Sequence, residues 1–323
     1  MLARLAARHV AAAMFAFAPL CAQATTPPTA DAPATAPAPA APAITPLAHV
    51  EERGAGATTL ILVPGLSCDW TVYASFLERN KERYRMLAVT LPGFGGSAAP
   101  PLAEGAELAD AAWLRNAAAA ILDLARERKL DRPIVVGHSL GGHLAMRMAL
   151  DAPDRLGGAI SIDGLPLYPP PPSMPSEPKA RAALARNMVA RMAATPPEAW
   201  QKQQLATMKS MVTDADRAAQ LAALCGAVPP ATSARYMGEM MLSDLRARLA
   251  DAKVPVLAIS AVASDMGEAF AKAIRGGVAA QFAKASPQVT LAPFDCRHFV
   301  MDDKPAELDA AVEAFVAKLA AAK

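Results

Sequence analysis

The sequence predicts an α/β protein: a mostly parallel central sheet flanked by helices, with a helical cap inserted between two late strands. Three observations predict it. Short β-branched runs alternate with helical patterns, which implies parallel pairing with helices on both faces. Hydrophobic residues make up 53% of the 323 positions, enough to cover such a sheet on both sides. One section, residues 165–251, breaks the alternation and holds helical patterns only.

In chain order, "TTLILV" (Thr58–Val63) reads as the first clear strand, ended by Pro64-Gly65. "RMLAVT" (Arg85–Thr90) is a second, stopped by Pro92 and Gly93. Glu107 to Arg128 places Leu114, Ala118, Ile121, Leu122 and Ala125 at helical spacing. "PIVV" (Pro133–Val136) is the third strand, Gly141–Ala152 a helix, and "GGAISI" (Gly157–Ile162) the fourth strand. "PLYPPPPSMPSEP" then forms a hinge that no helix interior or central strand could use. Past it, Leu184, Met188 and Met192 repeat at four-residue spacing, as do Met237, Met241, Leu245 and Leu249. "VPVLAISA" (Val254–Ala261) is a fifth strand, Gly267–Lys284 mostly helix, "QVTLAPF" (Gln288–Phe294) a sixth strand, and Pro305–Ala322 the closing helix. The core is therefore expected over 47–164 and 252–323, with the cap over 165–251 above the carboxyl ends of the strands.

The N-terminus reads as an address. Arg4 and Arg8 precede an apolar run from Val10 to Leu20, and Ala22-Gln23-Ala24 offers small residues where a signal peptidase reads. The run is too short to span a bilayer. A signal peptide over 1–24 is expected, hence export to the periplasm or beyond. Lipid acylation at Cys21 would need a small residue where Leu20 stands, and an uncleaved anchor would need a longer run. Residues 25–46 are almost only Ala, Pro and Thr, an extended tether. Loss of the leader takes the 32 basic residues to 30, equal to the 30 acidic ones. No long basic run remains, so nucleic acid and anionic membrane are poor partners. Three cysteines remain, Cys68, Cys225 and Cys296, with no CxxC pair and no zinc spacing.

The chemistry centres on "GHSLGG". Ser139 sits in Gly-X-Ser-X-Gly after a strand and before a helix. Gly137 and Gly141 let strand and helix approach closely, and the helix N-terminus would lie beneath a developing oxyanion. The pentapeptide by itself fits a packing turn equally well. A serine nucleophile also needs a base, a partner for that base, and preorganised N–H donors. Of five histidines, His9 leaves with the leader and His49 precedes the first clear strand. His138 adjoins Ser139 with its side chain expected to point away, and His143 lies on the following helix as a structural residue. His298 remains, in "FDCRHFVMDDKP" after the last strand, where a base belongs if chain order is Ser, acid, His. The N–H of Leu140 is one expected oxyanion donor, and the N–H of Leu66 in "PGLSCDW" the other.

With "LVPGLSCDW", "LPGFGGS", "GHSLGG" and "RHFVMDDKP" in this order, the chain from about Pro46 to Lys323 resembles the α/β-hydrolase superfamily, in particular its cap-bearing serine hydrolases. Pro64 stands where the first motif usually has His. Thr90 stands where an acid often precedes the second motif, so a common structural contact is expected to be missing. The resemblance implies the acid just after the penultimate strand. Asp265 is the carboxylate closest to that strand end, with Asp163, closing "AISID", as the alternative. Asp302 and Asp303 suit the N-terminal turn of the last helix. It also implies that the loops of Cys68 and Cys296 converge, so that a Cys68–Cys296 disulfide could form.

The resemblance implies acyl-serine hydrolysis, by default of an ester, with no cofactor and no metal. Methionines of the insertion (Met174, Met188, Met192, Met208, Met211, Met237, Met240 and Met241), with Tyr168, Trp200 and Tyr236, suggest a small, partly apolar substrate as the partner. The same spacing also suits plain core packing. Alternatives with the same residues are a cofactor-free perhydrolase or haloperoxidase-like protein, a C–C bond hydrolase, and a non-catalytic binding protein that keeps the fold.

Overall fold

A computed structural model describes residues 43–169, 175 and 177–321. The expected leader, most of the expected tether and Met174 lie outside the described residues. The elements run β1 (His49–Arg53), β2 (Thr58–Val63), α1 (Ala74–Asn80), β3 (Tyr84–Thr90), α2 (Ala112–Glu127), β4 (Ile134–His138), α3 (Leu140–Asp151) and β5 (Gly158–Ile162). There follow α4 (Pro178–Ala193), α5 (Pro197–Met211), α6 (Ala215–Gly226), α7 (Pro230–Leu242), β6 (Val256–Ala261), α8 (Glu268–Phe282), β7 (Val289–Phe294), α9 (Val300–Asp303) and α10 (Pro305–Ala321).

The strands form one seven-stranded sheet in the order β1-β3-β2-β4-β5-β6-β7. All neighbours pair in parallel except β1, which runs antiparallel to β3 with His49 opposite Thr90. This mostly parallel α/β architecture agrees with the sequence-based expectation. The β1 strand does not: "HVEER" is short, charged and half-exposed at the sheet edge, so no apolar alternation betrays it.

The sheet is covered on both faces, and the side-chain alternation shows how. Ile61, Val63, Leu87, Val89 and Val135 join one apolar cluster with Leu114 and Ile121 of α2 and Leu144 and Met148 of α3. Their strand neighbours Leu60, Leu62, Met86, Ala88, Ile134 and Val136 join the opposite cluster with Phe76 of α1 and Leu308, Val312 and Phe315 of α10. A period of two splits each apolar run between the faces, so "LILV" stays continuous rather than alternating with polar residues. Truncating a fully buried member such as Leu62 or Leu114 to Ala should cost about 2–5 kcal/mol.

Helices α4 to α7 all lie between β5 and β6. They pack into both clusters: Tyr236 and Met240 of α7 into the first, Met208 of α5 and Leu221 of α6 into the second. The Met237–Met241–Leu245–Leu249 stripe is thus largely core. Tyr236 spends its hydroxyl on the Pro92 carbonyl and Trp200 its indole N–H on the Val228 carbonyl, so neither offers a free polar tip to a substrate.

One contact explains how α7 is held. The helix expected from Glu107 is broken at Ala111, whose φ of 49° separates a short 3-10 turn from α2. An alanine cannot cap the first N–H groups of α2. Glu239 of α7 does so instead, accepting from Trp113 N–H at 2.9 Å and Leu114 N–H at 3.0 Å, with Arg235 on its other oxygen at 2.6 Å. Burial pushes the Glu239 carboxyl above its ordinary range, and these donors oppose that.

Candidate active site

The carboxyl ends of β2, β4, β5 and β7 carry the loops that matter. Chain order passes from β2 to β3 on one side and then to β4 on the other, so the sheet has its switch point between β2 and β4. Ligand crevices form at such points.

Ser139 occupies the junction of β4 and α3 with φ 54° and ψ −114°. A non-glycine residue there carries strain of roughly 1–3 kcal/mol. The surroundings hold it: Ser139 N–H donates to the Ile162 carbonyl at 2.8 Å, and its own carbonyl accepts from His143 N–H at 3.0 Å. Two glycines make the turn feasible. A Cβ on Gly137 would enter the Gly141 carbonyl, and one on Gly141 would enter the carbonyls of Val63 and Pro64. Helix α3 therefore starts hard against the end of β2.

That end turns through Gly65 to Cys68, closed by Cys68 N–H on the Gly65 carbonyl at 3.2 Å. A Cβ on Gly65 would lie 3.3 Å from Ser139 Cβ, so this turn abuts the serine. It carries Leu66, while Leu140 opens α3, where the first N–H groups have no acceptor within the helix. Thr90, where an acid often stands, accepts through its hydroxyl from Trp70 N–H at 3.2 Å.

His298 lies between β7 and α9, and its Nδ1 meets Asp163 Oδ2 at 2.5 Å. Asp163 follows β5 directly, with φ 47°. Its N–H donates to the Ile259 carbonyl at 2.7 Å, and its Oδ1 accepts from Ala261 N–H at 2.8 Å. One carboxylate oxygen is thus fixed by the end of β6 and the other faces the imidazole. Both side chains are mostly buried, 21% and 16% exposed, where a charged hydrogen bond is strong.

The geometry brings His298 to Asp163 and not to Asp265, the carboxylate the sequence favours. That carboxylate is 56% exposed and pairs with Arg297 Nη2 at 2.8 Å. It borders a polar cleft of about 230 Å³ with Thr213, Ser264, Asp295, Cys296 and Arg297, a lining that includes neither Ser139 nor His298. Nor does it cap the next helix, since Gly267 holds that position. Asp302 and Asp303 sit in α9, ahead of the last helix. Asp302 pairs with Arg217 at 3.0 Å, and Asp303 accepts from Thr213 N–H at 2.9 Å and Arg297 N–H at 3.1 Å.

His138, adjacent to Ser139 in sequence, backs the His298 loop. Its Nε2 donates to the His298 carbonyl at 3.0 Å, and the two rings lie 4.5 Å apart. Its Nδ1 is buried without a protein partner among the described residues. Burial, then the neighbouring His298, hold its pKa well below the usual imidazole value, so the ring is neutral. His143 is structural, with Nδ1 on the Leu165 carbonyl and Nε2 on the Ser243 hydroxyl, each at 2.9 Å. Arg297 is a further residue that sequence reasoning passed over: it ties the His298 loop to the Lys209 carbonyl at 3.2 Å and the Val212 carbonyl at 3.1 Å. Only its place beside His298 could have signalled it.

Cys68 faces Cys225, at 3.6 Å between sulfurs, rather than pairing with Cys296. All three thiols are free and buried. Among the described residues no three His, Cys, Asp or Glu side chains converge as a metal site, and no helix is long and apolar enough to cross a membrane.

Known proteins bear on this arrangement. A sequence model described as "Alpha/beta hydrolase family" matches residues 60–311. A pimeloyl-[acyl-carrier protein] methyl ester esterase of Aeromonas hydrophila is 34% identical over 119 residues, 37% of this chain and 42% of that protein. A 2-hydroxy-6-oxononadienedioate/2-hydroxy-6-oxononatrienedioate hydrolase of Cupriavidus pinatubonensis is 32% identical over 121 residues, 36% and 39% of the two chains. The chain thus spans about two fifths of the length of these curated relatives. A thermophilic esterase of Thermogutta terrifontis superposes with a TM-score of 0.65 at 18% identity, over 84% of this chain and 93% of that one. MenH from S. aureus gives 0.65 at 16% identity, over 84% and 99%.

Proposed function

The chain belongs to the alpha/beta hydrolase family, and from that premise we propose that it is a serine hydrolase cleaving an ester-type bond of a small, partly apolar substrate through an acyl-enzyme. The observation that carries the reading is the 2.5 Å contact of His298 Nδ1 with Asp163, in a chain whose Ser139 is held at φ 54° on a strand-to-helix turn. A hydrogen-bonded acceptor on Nδ1 fixes the tautomer with Nε2 free to take a proton.

In this reading His298 Nε2 removes the Ser139 proton as Oγ attacks the ester carbonyl. The carbonyl π pair moves to oxygen, and the N–H groups of Leu66 and Leu140 hold the oxyanion. Collapse expels the alkoxide, which takes the proton from His298. Water, deprotonated by the same nitrogen, then releases the acyl group as the acid. Asp163 keeps its negative charge beside the imidazolium throughout. Helices α4 to α7 act as a cap, and the N-terminal leader exports the protein. Similarity to the pimeloyl methyl ester esterase supports an ester substrate.

A second reading has the same residues cleave a carbon–carbon bond beside a ketone, and similarity to a hydrolase of an oxo-dicarboxylate supports it. A panel of p-nitrophenyl esters against a vinylogous keto acid separates the two. The serine mechanism itself is tested with a fluorophosphonate probe. Wild type is expected to be labelled once, with the label lost in Ser139→Ala and strongly slowed in His298→Ala. An unlabelled wild type means a binding protein that keeps the fold.

A further inference from the structure

We infer that Cys68 and Cys225, free thiols in this structure, form a disulfide on oxidation that fastens α6 to the turn carrying Leu66. The two residues are 157 positions apart in sequence, yet their sulfurs lie 3.6 Å from each other in the core. Cys68 closes the Gly65–Cys68 turn, and Cys225 sits in the last turn of α6 with its sulfur 4.0 Å from the Leu66 carbonyl oxygen. A disulfide needs the sulfurs about 1.6 Å closer.

The turn already has one polar tie to the inserted helices. Ser67 and Ser233 share a hydrogen bond of 2.6 Å, joining the turn to α7. The disulfide adds a covalent tie to α6, so the turn is clasped from both helices. Closing a loop this long removes more freedom from the unfolded chain than closing a short one. Cys296 stays the unpaired thiol, which accounts for an odd number of cysteines after Cys21.

The chemistry is thiol–disulfide exchange with a small disulfide, such as oxidised glutathione, as the oxidant. The thiolate of one cysteine attacks a sulfur of that disulfide, forming a mixed disulfide and releasing one thiolate. The second protein thiolate attacks the protein-side sulfur and releases the other. The protein gains one S–S bond and loses two electrons and two protons, and the oxidant becomes two thiols. Cys68 is 1% exposed and Cys225 0% exposed, so the exchange runs while α6 is lifted from the turn.

The test uses the purified full chain, reduced, then held with oxidised glutathione in sub-denaturing urea. Acid quench, alkylation under denaturation and peptide mapping follow. The expected map links the Cys68 and Cys225 peptides and shows Cys296 alkylated. Reducing the linked protein should then lower Tm by roughly 5–15 °C. The Cys296→Ser variant should keep both the link and the shift, and the Cys68→Ser/Cys225→Ser variant should lose both. Alkylation of all three thiols, a Cys68–Cys296 link, or a Tm indifferent to reduction overturns the inference. None of these readouts depends on catalysis, so they stay interpretable if the fluorophosphonate test fails.

Discussion

The ends of β5 and β6 each offer a carboxylate beside the same histidine loop, and they use it differently. Asp163 follows β5 with no residue between, in a left-handed conformation, with both carboxylate oxygens engaged. Asp265 comes four residues after β6, on a 3-10 turn at the surface, and its partner is the guanidinium of Arg297. The difference teaches how a carboxylate is held against an imidazole. A carboxylate fixed by the neighbouring strand's N–H cannot swing away when the imidazole charges. A surface carboxylate held by one arginine can, and its ion pair is worth ~0–1 kcal/mol.

The largest expected effect tests that contrast directly. Asp163→Asn should lower kcat on p-nitrophenyl acetate by about 10³–10⁴-fold, because an amide donor facing Nδ1 selects the wrong imidazole tautomer. Asp265→Asn in the same assay should stay within about threefold of wild type. Equal losses in the two variants would end the assignment of Asp163 as the orienting acid.

The β5 side also carries a pH-sensitive group in its buried His143. Past Asp163 the chain reaches Leu165, whose carbonyl accepts from His143. Burial is the main cause that lowers the His143 pKa to about 4. Between that value and the ordinary 6.5 the unfolded chain binds a proton that the folded chain refuses, so stability falls as pH falls through this window. At pH 5 the loss relative to pH 7 is about 2 kcal/mol, or roughly 4–8 °C in Tm. Buried, neutral His138 acts in the same direction. His143→Gln should show a shallower fall of Tm from pH 7 to 5 by differential scanning calorimetry, and an unchanged slope would remove His143 from the account.

How far the sequence discloses this contrast depends on the range of the interaction. Strands such as "TTLILV" and "GGAISI", and the serine between Gly137 and Gly141, are legible because local pattern and burial agree. The edge strand "HVEER" is not, since its pairing with β3 rests on backbone bonds that leave no apolar signature. The two aspartates are separated only by contacts across strands: Ala261 N–H reaching Asp163, and Arg297 reaching Asp265. Closeness to the penultimate strand favours Asp265, yet that same strand supplies, through Ala261 N–H, the donor that fixes Asp163. Cys225 likewise meets Cys68 through the packing of α6, which no spacing in the chain encodes.

The smallest effects separate the arginine's two duties. Arg297 donates through Nη1 to the carbonyls of Lys209 and Val212 and through Nη2 to Asp265. Arg297→Ala removes all three side-chain bonds and leaves residue 297 held by its N–H on Asp303, so kcat should fall about tenfold with the fold retained, a loss near 1.4 kcal/mol. Asp265→Asn removes only the ion pair and leaves the carbonyl anchors in place. If Asp265 matters solely as a surface partner, 0.5 M NaCl should reproduce its small effect in wild type and add nothing in the variant, since screening acts on exposed pairs first. A salt response in Asp265→Asn as large as in wild type would place the sensitive charges elsewhere, and a tenfold loss in that variant would give the β6 side a part in orienting His298.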